Sequence, residues 1–383
     1  MTDSKPLLSR RKFVYAGLAG IGTVAAAMWW RSHRKTPYVP DIDIESGRAL
    51  LEKYPAIDVH SHPGRSFLAN GNFDSLAISS MDSGFEAQRI ADMQAGHVTA
   101  SLFSLVADVK VLGFSMTKGI VAEREFEPGE AYRDFNRQLE YFRSLDEQGT
   151  VSFARSADEV RAAHAAGKSV AVLASEGADF VENKLERLSV AYDAGMRSIT
   201  LIHYRPSEYG DIQTAAPVHG GLTDIGAEVI AEMNRLGFVI DMAHAQFETV
   251  KDVVERSTAP IMISHSHLSG VDVSHPRLIS PEHAKLVQQN GGIIGSWPAG
   301  ITSQTMADFV DETFRLIDVV GIDHVGIGTD LDANYKPVMT DYVQFPEFAT
   351  LLLNRGLTEE EAAKVLGLNF LRVFDAATAA KQA

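Results

Sequence analysis

Two histidines two residues apart stand in the segment Ala56-Ile57-Asp58-Val59-His60-Ser61-His62-Pro63. An apolar start and a closing proline read as a short strand running into a loop. On a strand, side chains i and i+2 share a face, so His60 and His62 can point together at one metal ion. Neutral imidazole is the commonest protein ligand for such an ion. Alone, a His-x-His pair could equally be two surface histidines. Its company changes the reading. Glu176 follows Ala174-Ser175, and His244 closes Ile240-Asp241-Met242-Ala243. His265 and His267 lie in Ile263-Ser264-His265-Ser266-His267, and Asp330 closes Gly326-Ile327-Gly328-Thr329. Any one of these could be a satisfied buried polar group, but several at the ends of separate apolar runs call for a shared cause.

Histidine and carboxylate without thiolate suit Zn²⁺, or a similar borderline ion, at an open hydrolytic site. His60, His62, Glu176, His244, His265 and Asp330 are too many for one zinc. They suffice for two ions a few ångströms apart with a carboxylate bridge. Glu176 has two oxygens and sits between the two histidine sets, which makes it the natural bridge. A hydroxide held by both ions would be the nucleophile. Asp330, on a strand closing beside the first, is placed to take a proton from that water and return it to a leaving amine.

The elements that must position these residues alternate along the chain. Strand candidates are Ala56–His60, Val98–Ser104, Ser169–Ser175, Ser198–His203, Phe238–His244, Pro260–His265, Gly291–Ser296 and His324–Thr329. Amphipathic stretches between them include Lys184–Ala194, Thr223–Leu236, Pro281–Gln289 and Met306–Val320. Strands alternating with helices imply a parallel sheet with helices outside. Eight such units predict an α/β fold of the (β/α)₈ TIM-like barrel type, with the metal site at the C-terminal ends of the strands. No Gly-x-Gly-x-x-Gly turn suggests a dinucleotide-binding sheet instead. Two segments look like additions to a minimal barrel: loop-like Asp108–Gly129 and the Gly- and Pro-containing Tyr204–Gly221. Pro346–Phe374 reads as two helices, one opened by the capping box at Thr358-Glu359-Glu360-Glu361.

Composition is ordinary for a soluble globular protein with a large core, at 383 residues, 45% hydrophobic and 22% charged. The length permits two domains or equally a single barrel with insertions. The net charge is -15, yet the first 35 residues carry seven Lys/Arg against one acid, which leaves about -21 on the rest. So acidic a body argues against nucleic acid as a partner. The basic start, Ser9-Arg10-Arg11-Lys12-Phe13-Val14 before a weakly apolar run to Trp30, is similar to a bacterial twin-arginine export signal. Residues 1–35 are therefore assigned to a signal or anchor, 36–49 to a linker and 50–383 to the barrel. Ala25-Ala26-Ala27 offers a cleavage site, whereas Trp29, Trp30, Arg31, Arg34 and Lys35 would suit an uncleaved membrane anchor. The expected compartment is the periplasm or beyond, with the twin-arginine machinery as a partner. There is no cysteine, which excludes disulfides, thiolate ligands and a cysteine nucleophile.

The whole set resembles the amidohydrolase superfamily, and within it the membrane (renal) dipeptidase family of zinc metallopeptidases. The resemblance runs from about residue 50 to 375. It includes Asp58-x-His60, Ser175-Glu176-Gly177, Gly195-Met196-Arg197-Ser198-Ile199-Thr200-Leu201-Ile202-His203 and Gly221-Leu222-Thr223. It continues through Asn234-Arg235-Leu236-Gly237 to His244, Ser264-His265-Ser266, His275-Pro276-Arg277 and Gly326-Ile327-Gly328-Thr329-Asp330. It implies His60, Glu176, His244 and His265 as zinc ligands, with Glu176 bridging and Asp330 as acid/base. It also implies His203 at the scissile carbonyl or oxyanion and Arg277 on the C-terminal carboxylate of a dipeptide. Spacing alone leaves His265 and His267 open, and the family pattern selects His265, with His267 as a supporting neighbour. Asp241, His219 and His97 read as structural.

Two departures stand out. The family usually has His-x-Asp on its first strand, where this chain has His60-Ser61-His62. Histidine there is common in the wider superfamily, so His62 remains a ligand, and the centre is one unit more positive. The family's Asp-Phe-Asp-Gly is Asp330-Leu331-Asp332-Ala333 here. The expectation is an exported, two-zinc dipeptidase acting on a small peptide, with a homodimer left open. The competing readings are a periplasmic tailoring hydrolase for a secreted peptide such as a siderophore precursor, and a catalytically inactive binding relative.

Overall fold

A computed structural model describes residues 38–40, 42–270 and 275–381. The signal or anchor expected over residues 1–35 lies outside the described residues. Among the described residues, no helix is long and apolar enough to cross a membrane.

Among the described residues, ten strands form two sheets. Eight of them close a parallel barrel: β1 Ala56–Ser61, β2 Val98–Val106, β5 Val170–Glu176, β6 Ser198–Thr200, β7 Val239–Asp241, β8 Met262–Ser266, β9 Ile293–Ser296 and β10 Val325–Ile327. Their order round the ring is β1-β10-β9-β8-β7-β6-β5-β2. β3 Leu112–Ser115 and β4 Gly119–Ala122 pair antiparallel as a separate hairpin. All eight expected strands are present, and helices such as Pro281–Gln289 and Met306–Val320 alternate with them along the chain. β1, β2 and β5 are buried along their whole length, as strands covered on both faces must be.

Closure depends on Asp58. Its carboxylate accepts from the Thr329 backbone N–H at 2.8 Å, the Thr329 hydroxyl at 2.5 Å and the Tyr342 hydroxyl at 3.1 Å, which ties β1 to the segment after β10. Burial pushes this carboxyl up to about 6 against those donors. Gly295 in β9 sits where a Cβ would collide with the Ser264 carbonyl of β8. Glycine is what lets the two strands approach there.

The differences from expectation have local causes. Asp108–Gly129 is not all loop, because Gly119, at φ 73°, allows Met116-Thr117-Lys118 to turn the chain into the β3–β4 hairpin. The linker expected to reach residue 49 ends earlier, since Glu45–Lys53 is helical and buries Leu50 and Leu51. The C-terminus has three helical pieces, Phe345–Asn354, Glu359–Ala363 and Asn369–Ala379, with a wide turn at Lys364–Leu368. The Thr358–Glu361 capping box does open the second piece. Expected strands also run too far: β6, β7 and β10 stop at Thr200, Asp241 and Ile327. Asp241 explains one such ending. Its carboxylate accepts from Ala243 N–H (3.0 Å), Ser264 N–H (2.9 Å) and the Thr200 hydroxyl (2.6 Å), replacing the ladder with a side-chain clamp.

Candidate metal centre and active site

The strand endings divide the polar residues between the last positions of strands and the short turns that follow them. Glu176 is the last residue of β5 and His265 lies inside β8. His203 and His244 each fall three residues beyond β6 and β7, and Asp330 three beyond β10. His244 and Asp330 have left-handed backbones, with φ 68° and 53°. Such conformations strain a side-chain-bearing residue and gather at functional sites. Here they turn both side chains back over the barrel mouth.

Glu176 is the centre of the site. Its Oε1 lies 3.3 Å from His60 Nε2, 2.9 Å from His244 Nε2 and 3.6 Å from His265 Nε2. Its Oε2 lies 3.2 Å from both His62 Nε2 and His203 Nε2. Among the described residues, the groups able to hold a metal ion are His60/His62/Glu176 and Glu176/His244/His265, and they share the one carboxylate. His62 Nδ1 donates to the Ser104 carbonyl at 3.1 Å, so its Nε2 carries the free lone pair. His60 Nε2 is buried with no hydrogen-bond partner. Burial, with the neighbouring Arg277 guanidinium, holds His244 and His265 well below the usual histidine range, leaving neutral imidazoles. Burial also opposes charge on His60, yet Glu176 draws it up to about 9. The field at that spot favours a cation, proton or metal. The donor set therefore fits two borderline ions bridged by a carboxylate.

Around this cluster stand the other expected residues. Burial would raise His203's resistance to protonation, but Asp108 and Glu176 outweigh it and hold the imidazole above its usual pKa. Its Nδ1 donates to Asp108 Oδ1 at 2.7 Å. Burial pushes Asp330 up to about 6, against the pull of His62 and His60, and its Oδ1 lies 3.5 Å from His62 Nε2. A carboxyl poised there can both take and give a proton near neutral pH. Arg277 is 2% exposed, with its guanidinium 5.5 Å over the Trp297 ring and bonded to Gln213 Oε1. Its Nη2 reaches His244 and His265 Nε2 at 3.1 and 2.9 Å. One cavity is lined by His62, Glu176, His203, His244, Arg277 and Asp330.

His267 does not join the cluster. It is buried with its ring 5.9 Å from Phe309, edge to face. His97 and His219 sit apart as well, His97 beside Arg48 and His219 on the Ser207 carbonyl. Sequence reasoning missed Asp108, Gln213 and Trp297. Asp108, the first acid after β2, was the most findable of them.

The membrane dipeptidase family (peptidase family M19) matches residues 44–383. Dipeptidase verJ of Clonostachys rogersoniana is 31% identical over 255 residues, 64% of this chain and 66% of its own length. Dipeptidase tcpJ of Claviceps purpurea is 30% identical over 253 residues, 63% of this chain and 59% of its own. The match thus spans roughly three fifths to two thirds of these curated relatives. The probable dipeptidase PvdM from Pseudomonas aeruginosa shares the fold with a TM-score of 0.71 at 18% identity, covering 88% of this chain and 98% of that one. A metallo peptidase from Rhodobacter sphaeroides, liganded with a phosphinate mimic of L-Ala-D-Ala, gives 0.69 at 20% identity and covers 85% and 99%.

Proposed function

The chain belongs to the membrane dipeptidase family, and on that premise we propose that it is an exported, zinc-dependent dipeptidase cleaving the amide bond of a small peptide with a free C-terminal carboxylate. His60, His62 and Glu176 would hold one ion, and Glu176, His244 and His265 a second. When bound, such ions supply Lewis acidity and acidify a water for attack on the carbonyl. The remaining work belongs to side chains. Arg277 pairs its guanidinium fork with the substrate carboxylate. His203, held by Asp108 through Nδ1, presents Nε2 as a donor to the scissile carbonyl oxygen. Asp330 takes a proton from the attacking water at Oδ1 and hands it to the departing amine.

The carrying observation is one carboxylate, Glu176, shared by two histidine pairs in a cavity that also holds Arg277 and Asp330. Purified protein of measured zinc content, assayed on L,L- and L,D-dipeptides, tests the reading. About two ions per chain and hydrolysis of at least one stereochemical class are expected. Metal-replete protein inert on the whole panel and on its N-acylated counterparts would refute it.

A further inference from the structure

The cavity above the barrel does not end at the histidines. It holds about 100 Å³, and beyond the cluster its wall is Phe67, Ile78, Met81, Val106, Leu112 and Ile120. Phe67, Val106 and Leu112 form a hydrophobic cluster separate from the barrel core, with Ile78, Met81 and Ile120 packed against it. Its walls come chiefly from the turn Pro63–Leu68, the short helix Leu76–Ser79 and the β3–β4 hairpin.

Topology fixes which end of a substrate this chamber meets. In the eight-stranded ring β2 lies four places from β8 in either direction, on the opposite side. Arg277 follows β8, whereas Val106 ends β2 and Leu112 and Ile120 follow it. A ligand with its carboxylate on Arg277 that crosses Glu176 therefore points its acyl end into the apolar chamber.

In a free dipeptide that end carries an α-ammonium. Among the described residues lining the cavity, the carboxylates are Glu176 and Asp330. Glu176 already faces five histidines within 3.6 Å, and Asp330 faces His62. His62 stands where the family resemblance leads to an aspartate, and its ring meets Phe67 edge-on at 5.4 Å. The chamber side of the cluster is thereby short of one anion. An ammonium desolvated there without a partner is strongly disfavoured, whereas alkyl carbon gains from the same wall.

We infer that the preferred substrate is an N-acyl amino acid, or a peptide with a blocked, apolar N-terminus, rather than a free dipeptide. The inference rests on the hydrolase reading above, and on Arg277 as the carboxylate grip. In the reaction the water oxygen bonds to the acyl carbon, the C–N bond breaks, and the amine leaves with the proton from Asp330. A fatty or other apolar carboxylate and an amino acid are the products, with no redox partner required.

A matched pair isolates the charge. Hexanoyl-alanine and norleucyl-alanine differ only by the α-ammonium, and each is made with L- and D-alanine. For the zinc-loaded full chain, kcat/KM for hexanoyl-alanine should exceed that for norleucyl-alanine at least tenfold, and should rise from acetyl- to hexanoyl-alanine. Equal or better turnover of norleucyl-alanine overturns the inference while leaving the dipeptidase reading standing. Turnover of neither overturns both. Ile120→Asp places a carboxylate on the hairpin wall and should narrow the gap at least threefold. Ile78→Asp does so from a different element, so that misfolding of one variant leaves the other as the test. Undiminished discrimination in a folded variant counts against the inference.

Discussion

His203 Nδ1 lies 2.7 Å from Asp108 Oδ1, while Asp108 Oδ2 accepts the backbone N–H groups of Tyr204 at 3.1 Å and Arg205 at 2.9 Å. One buried carboxylate thus fixes both the ring and the start of the loop that carries it. Asp108→Asn keeps the shape but exchanges an acceptor for a donor on one side. We expect kcat to fall roughly 10- to 100-fold, the range for losing the partner that orients a histidine, with KM and bound zinc little changed. A loss of zinc equal to the loss of rate would show that Asp108 acts through the metal cluster instead.

Glu176 makes a different prediction, because two ligand groups depend on it. Glu176→Gln keeps one carbonyl oxygen and removes the charge that offsets the ions. Elemental analysis should show occupancy falling at both positions. Loss of a single ion, or none, would contradict the shared bridge.

Much of this site was legible because metal ligands at strand ends leave a trace in sequence: apolar runs that stop on His, Glu or Asp. His60, His62, Glu176, His244, His265 and Asp330 were expected on this ground, and the fold gathers their side chains in one cluster. What stayed hidden lacks periodicity. Asp108 and Gln213 act across the barrel mouth on His203 and Arg277, partners 95 and 64 residues away in the chain. The strand ends at Thr200 and Asp241 were also illegible, since a side-chain clamp by Asp241 replaces the expected ladder. His267 looked equivalent to His265 under a strand period. The strand ends at Ser266, however, and the next residue turns toward Phe309.

The proposed export would depend on the Arg10-Arg11 pair, and we expect Arg10→Lys with Arg11→Lys to hold the protein in the cytoplasm. Cell fractionation reads the outcome. Unchanged delivery of the double variant to the periplasm would remove the twin-arginine proposal. It would leave the catalytic one untouched.

Acid should weaken the fold through His283, far from the chemistry. It lies in the helix Pro281–Gln289, 4% exposed, and burial pushes it down to about 4. In the unfolded chain the same group takes its proton near 6.5. Between these values the unfolded state binds more protons, so stability is intact above pH ~6.5 and drains as pH falls toward ~4. The shift corresponds to about 3 kcal/mol in full, of which about 2 kcal/mol is lost by pH ~5. His283→Leu removes that proton, so its urea-unfolding free energy should fall less than the wild type's between pH 7.5 and 5. Parallel losses in the two proteins would show that His283 is not the group responsible.

Asp330 and Arg277 line one cavity but are assigned different work, so their variants should fail differently. Asp330→Asn suits the test because asparagine tolerates the left-handed backbone, φ 53°, that residue 330 adopts. It cannot take the water's proton, and kcat should drop by about 10²- to 10⁴-fold while substrate still binds. Arg277→Ala should mainly raise KM, because a carboxylate is gripped alike in the ground and transition states. Amidating the substrate's C-terminus makes the comparison specific. Wild type should discriminate strongly against the amide, and Arg277→Ala should do so far less, since the partner of the missing carboxylate is itself gone. A variant that rejects amides as firmly as wild type would place the carboxylate elsewhere. The direction of the substrate across the barrel, from β8 to β2, would then have to be reversed or abandoned.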